Sequence, residues 1–190
     1  MKHAASRELY AYWEQRRGTR PAPERADIEP GAIRGVLSDA FILGLDNFGN
    51  YPIRLAGTRV CALFDREIKA ESFLDLWAPP CRSVVADLLA ILADEYVGTV
   101  AGVSAQSSAG DAIDLELLFL PLGTRRPSTA RAIGVLAPLT IPSWFGTTPI
   151  GPLTLGSRRH IGPASERRLL PRFLTPRTWR GLRVYQGGQA

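Results

Sequence analysis

The hydrophobic pattern changes period several times along the chain, and each change marks an element. In ASRELYAYWEQRR (5–17), Leu9, Tyr12 and Trp13 fall at i, i+3 and i+4, the spacing of one helical stripe. Arg16 and Arg17 suit the C-terminal end of a helix dipole, and Gly18 is a plausible stop. GTRPAPERADIEP reads as a loop, followed by a short helix with Pro30 in its first turn and Ile33, Val36 and Leu37 turned inward. AFILGLD (40–46) is the first strand. A hairpin loop follows in which Gly49 and Asn50 can take positive φ, and YPIRLA (51–56) is the second strand, with Pro52 at its start or at an edge position.

Helical spacing then returns. GTRVCALFDREI puts Val60, Leu63 and Phe64 on one face, and SFLDLW does the same for Phe73, Leu74 and Trp77. A longer helix follows Pro79-Pro80 to about Val97, with a broad apolar face of Val84, Val85, Leu88, Leu89, Leu92 and Tyr96. Three extended runs close the pattern: 99–109, 111–123 and 129–140. In the middle one, Ile113, Leu115, Leu117 and Phe119 share one face, while Leu118, Leu120 and Leu122 make the other apolar too. A strand apolar on both sides needs cover on both. The body's helices supply one cover; the N-terminal helix or a second copy of the chain supplies the other.

From Ile141 the pattern weakens into proline, glycine and arginine. The segment is expected to be an irregular extension that touches the body through Trp144, Phe145 and Leu155 and has mobile final residues. The expected organisation is an N-terminal helix (1–20), a compact domain (21–140) and an extension (141–190). The fold class is α+β: a five-stranded antiparallel sheet with helices on one face.

Charge sharpens that division. The formal net charge is +5, yet residues 154–190 hold eight arginines against Glu166 alone, while 1–153 hold 15 bases and 17 acids. The body is near neutral and the extension basic. An apolar content of 45% is ordinary for a globular chain. No run of about 18 uninterrupted apolar residues occurs, and the N-terminus lacks a signal-peptide core, so a cytoplasmic location is expected. The two cysteines, Cys61 and Cys81, are too far apart to suggest a disulfide framework or zinc site, and Cys61 in TRVCALF reads as a packed thiol.

Several phrases within this order resemble the PAS domain family. YPIRLAGTRVCALFDREIKAESFLDLW (51–77) is similar to the second strand and helical connection of that family, where a glycine follows "lF" and another stands two residues before "sf". Here those places hold Asp65 and Ala70. RADIEPGAIRGVLSDAFILGLD (25–46), LELLFLPLG and ARAIGVLAPL resemble further parts of a short, stand-alone bacterial PAS family common in alphaproteobacteria. The resemblance spans about residues 5–140. It implies a sensory or scaffolding role, small-ligand or partner-protein binding, and pairing through the sheet and N-terminal helix.

Candidate chemistry is sparse. Haem needs an axial ligand, and no histidine lies between 4 and 159; His3 and His160 are expected outside the body. A light-sensing flavin site needs a cysteine near Ser72-Phe73, and Cys61 lies about a dozen residues earlier. Nucleophilic catalysis would lack a histidine base. Asp114 and Glu116 share a strand face and read as solvated. The expectation is therefore a non-enzymatic domain without cofactor or metal. The ligand-pocket candidates are Leu43, Ile53, Leu55, Phe64, Phe73, Trp77, Leu115 and Leu117. The dimer or partner candidates are Leu9, Tyr12, Trp13, Leu118 and Leu120. The expected function is signal transduction through a partner protein as a homodimer, with gating by a small ligand as a further possibility. The alternative is nucleic-acid binding through the arginine-rich extension, where Phe173, Trp179 and Tyr185 could stack on bases; the prolines argue against a regular DNA-reading helix.

Overall fold

The structure is a computed structural model that describes residues 1–45, 49, 51–123 and 131–162, with the backbone of two short strands beyond. Helix α1 (Ala4–Arg17) ends at Gly18, whose φ of 56° takes the left-handed turn expected of it. Its N-cap is His3, whose ring accepts a hydrogen bond from the Ala5 amide at 3.1 Å. The proline-rich stretch and the expected short helix form 3-10 turns at Arg25–Asp27, Pro30–Ile33 and Leu37–Asp39. Strands β1 (Ala40–Gly44) and β2 (Ile53–Ala56) follow, with Gly49 at φ 74° between them; most of that connection lies outside the described residues. Next come α2 (Thr58–Phe64), a 3-10 turn at Phe73–Leu76, and α3 (Pro79–Glu95), which opens on two prolines where the missing N–H costs nothing. Three long strands complete the expected set: β3 (Gly98–Gln106), β4 (Ala112–Leu122) and β5 (Arg131–Pro138).

The sheet has six strands, not five, in the order β2-β1-β5-β4-β3-β6, all antiparallel. The additional strand, β6 (Thr154–Ile161), lies within the segment expected to be irregular and pairs with β3 from Gly98↔Ile161 to Ser104↔Thr154. A register shift near Gly102 breaks its in–out alternation, which is why the sequence does not read as a strand. Trp144, Phe145 and Leu155 do pack against the core, as expected. A separate two-stranded ladder joins β7 (Arg177–Trp179) and β8 (Leu182–Val184); the other residues after Gly162, among those expected to be mobile, lie outside the described set.

Both faces of the sheet are covered, as the doubly apolar middle strand requires. On one face, α2, α3 and the turn at Phe73–Leu76 close over Phe41, Leu43, Leu115, Leu117 and Phe119. On the other, α1 and the 3-10 turns close over Ile42, Leu118, Leu120, Leu122, Ile133 and Val135. Strand β4 feeds both cores, odd-numbered residues to one and even-numbered to the other, as its doubly apolar pattern requires. The N-terminal helix of the same chain is thus the second cover. Gly134 on β5 permits a close contact within the sheet: a Cβ there would lie 2.4 Å from the Phe41 ring and 2.3 Å from the Leu118 carbonyl.

Candidate functional site

Seven of the eight pocket candidates converge. Leu43, Ile53, Phe64, Phe73, Trp77, Leu115 and Leu117 all belong to the core beneath α2 and α3. Their centre is aromatic: Phe73 lies 5.4 Å from Phe41, 5.5 Å from Phe119 and 5.9 Å from Trp77, ring to ring. The offset and edge-on arrangements suit the ring quadrupoles. Leu55 does not join them. It lies on β2 facing away from the core and is 43% exposed. A register shift between Ile42 and Leu43 sets Leu55 opposite Ile42, whose side chain faces the other core, so the alternation from Ile53 that the sequence suggested is broken.

Trp77 is the polar feature of this cluster. Its side chain is fully buried, and Nε1–H finds no acceptor among the described residues. Leaving a buried donor unmade costs about 1–3 kcal/mol. Trp13, equally buried on the opposite face, donates its Nε1–H to the Pro121 carbonyl at 2.8 Å.

Four of the five partner candidates, Leu9, Trp13, Leu118 and Leu120, are buried between α1 and the sheet. They join α1 to the domain within one chain instead of presenting a surface. Tyr12 is half-buried, and its hydroxyl receives the Glu29 amide and donates to the Asp27 carbonyl, joining α1 to the turns below it.

Sequence reasoning missed Glu116. It was grouped with Asp114 as solvated, and Asp114 is exposed, but Glu116 is only 5% exposed. The start of α1 lies over it, and its carboxylate accepts the Lys2 amide at 2.5 Å and the His3 amide at 3.0 Å. Burial pushes the Glu116 carboxyl up, but the Lys2 amide, the Ser6 hydroxyl, the His3 amide and the N-terminal charge together more than offset this and hold it below its ordinary value. The signal in the sequence was one acid inside an apolar run, LELLFLPL, with no indication of what would cover it.

Beside Glu116 lies an open cleft of about 290 Å³, lined in part by Lys2, Gly102, Leu139, Ser157 and Arg159. Gly102 leaves its floor without a side chain. Neither histidine is outside the body: His3 caps α1, and His160 on β6 sets its Nδ1 3.2 Å from the Thr99 hydroxyl. Both cysteines are free and half-buried. Burial, with Glu67 nearby, pushes the Cys61 thiol up, and Cys81 Sγ accepts the Leu155 amide at 3.4 Å. Among the described residues no cluster of three His, Cys, Asp or Glu side chains could hold a metal ion. No described helix is long and apolar enough to cross a membrane.

No curated protein matches the chain in sequence. Among solved structures, one similar to it is an RNA-binding Light-Oxygen-Voltage receptor, at 17% identity and a TM-score of 0.43, over 62% of this chain. The match takes in 36% of that receptor's chain, so this chain spans little more than a third of its length. A family model for the PAS domain matches residues 1–137, from ahead of α1 to within the last residues of β5, leaving β6 outside it. That match covers most of the chain, including both sheet covers, and on it the chain belongs to the PAS domain family.

Proposed function

We propose that this PAS domain is a non-enzymatic regulatory module that acts on a partner protein, with a small ligand at the aromatic core modulating the contact. The observation that carries the ligand part is the unpartnered Nε1–H of Trp77 inside that core. A small apolar molecule with one hydrogen-bond acceptor would meet that single unsatisfied donor there once the packed rings part to admit it. The partner part rests on the family and on the two-sided cover. A helix held over the sheet by one buried carboxylate, one indole contact and a shared apolar core is an element whose docking a change in the sheet could bias.

Native mass spectrometry of the purified chain, with light scattering for its oligomeric state, tests the proposal. The expected result is a bound small molecule whose occupancy falls in Trp77→Phe, or a defined assembly with itself or a partner. A ligand-free, strictly monomeric chain that captures no partner would overturn it.

A further inference from the structure

We infer that residues 149–155, a strap beyond the family match, gate the aromatic core: a small ligand seated against Trp77 displaces Leu153, lifts the strap and loosens the start of β6. This rests on the reading of that core as a ligand site and names how the site is regulated.

The strap crosses the helical cover of the core and is tied to it by main-chain hydrogen bonds. The Ile150 amide donates to the Leu63 carbonyl of α2, and the Gly151 amide to the Gln106 carbonyl at the end of β3, each at 2.8 Å. The Pro149 carbonyl accepts the Ser108 amide at 2.9 Å. Leu153 then brackets Trp77. Its amide donates to the Leu76 carbonyl at 2.8 Å, and its carbonyl accepts the Ala78 amide at 2.9 Å. Last, the Leu155 amide meets Cys81 Sγ on α3.

These ties set two side chains into the core. Ile150 and Leu153 are buried there, Leu153 completely, whereas Pro152 and Thr154 are exposed and Pro149, Gly151 and Leu155 lie between. The helices over the same core are more deeply seated. Helix α2 buries Val60, Leu63 and Phe64, and α3 buries Val85, Leu88, Leu89 and Leu92. Local opening costs least where the fewest apolar groups are buried, which favours the strap over either helix. Pro149 and Pro152 also lack an N–H, so the strap has fewer main-chain donors than its length would give.

The core beneath gives a ligand reason to lift it. Trp77 Nε1–H has no acceptor among the described residues, and the Phe73 ring and Leu153 already fill the core beside it. A molecule that brings an acceptor to that indole needs space. Leu153 is the side chain that can leave without unwinding a helix or opening the long strands. A ligand that binds only the lifted state draws the chain toward that state. Thr154, the first residue of β6, pairs with Ser104, and Leu155 pairs with Val103. Lifting Leu153 loosens these two pairings, so occupancy of the core is passed to β6.

Amide hydrogen exchange of the full chain, read by NMR with acetophenone as the probe (one aromatic ring, one carbonyl acceptor), tests the gate. The amides of Ile150, Gly151, Leu153 and Ala78 are expected to exchange as a set, about tenfold or more ahead of the β4 amides. Acetophenone should speed the set further and leave β4 unchanged. Alkylation of Cys81 should rise in step, with Cys61, whose Sγ faces Glu67, as the reference thiol. In Leu153→Ala, where the space is vacated, acetophenone should bind about fivefold or more tighter than in the native chain. Should that variant not fold, the native chain supplies the exchange readouts alone. Exchange of the four amides no faster than β4 would overturn the inference. So would acetophenone bound with the four amides unchanged, an outcome that leaves the core standing as a ligand site. Failure of acetophenone to bind the native chain or the folded variant would overturn the ligand reading and this inference together.

Discussion

Asp65 and Ala70 occupy the two places where the family phrase has glycine, and the backbone there keeps the conformation that glycine would favour. Asp65 has φ 51° and Ala70 φ 70°. The chain therefore tolerates left-handed strain in order to make the same turns, and the departure in sequence leaves the geometry intact. Ala70→Gly should raise stability by about 1 kcal/mol, read as a higher urea midpoint at unchanged slope. Asp65→Gly should gain less, because aspartate accepts that region more readily. Gly134→Ala acts in the opposite sense: with backbone and Phe41 both closer than a Cβ permits, about 3 kcal/mol of destabilisation is expected. Glu116, the buried one of the two carboxyls held below their ordinary values, contributes to the pH dependence. Its folded value lies below the unfolded one, so its contribution is present above the ordinary carboxylate range and is lost as pH falls through the folded value. Glu116→Gln should cost about 1–2 kcal/mol at neutral pH and flatten the acid side of the stability profile.

Among the elements, α1 was legible because Leu9, Tyr12 and Trp13 keep helical spacing, and β4 because its two apolar faces alternate cleanly. Strand β4 even indicated that a second cover was required, but its sequence could not choose between α1 and another copy. That choice depends on where Pro121 and Glu116 meet Trp13 and the start of α1, which is tertiary information. Trp13→Ala should cost about 3–5 kcal/mol, through both cavity and lost hydrogen bond, and should raise amide exchange along α1 before the sheet. Strand β6 was not legible. Its register shift and rim position remove alternation, and the surrounding prolines and glycines suggest a loop.

For the whole molecule, the succession of helices and of the first five strands along the chain followed from period changes, their order in the sheet did not, and the candidate sites followed only in part. The aromatic cluster was identifiable because burying seven apolar side chains is a matter of pattern. The cleft beside Glu116 was not, because it needs Lys2, Gly102 and Arg159, distant in sequence, to meet. The extra strand also changes where the chain can be cut. Truncation before Gly151 removes β6 and leaves β3 as an open edge, so a lower melting temperature and concentration-dependent aggregation are expected. Truncation after Gly162 keeps the described contacts of β6, and calorimetry of the two side by side would separate the strand from the basic residues beyond it.

The segment that folds back along the start of β2, turned by Ala70, has a consequence for how copies of the sheet can meet. The Ile53 amide donates to the Glu71 carbonyl, and the Ala70 amide to the Ile53 carbonyl. Strand-by-strand polymerisation needs two receptive margins on every unit, one to give and one to receive. At Ile53 the main-chain groups a newcomer would need are already taken by the chain itself, so addition there is refused by backbone geometry before any side chain is consulted.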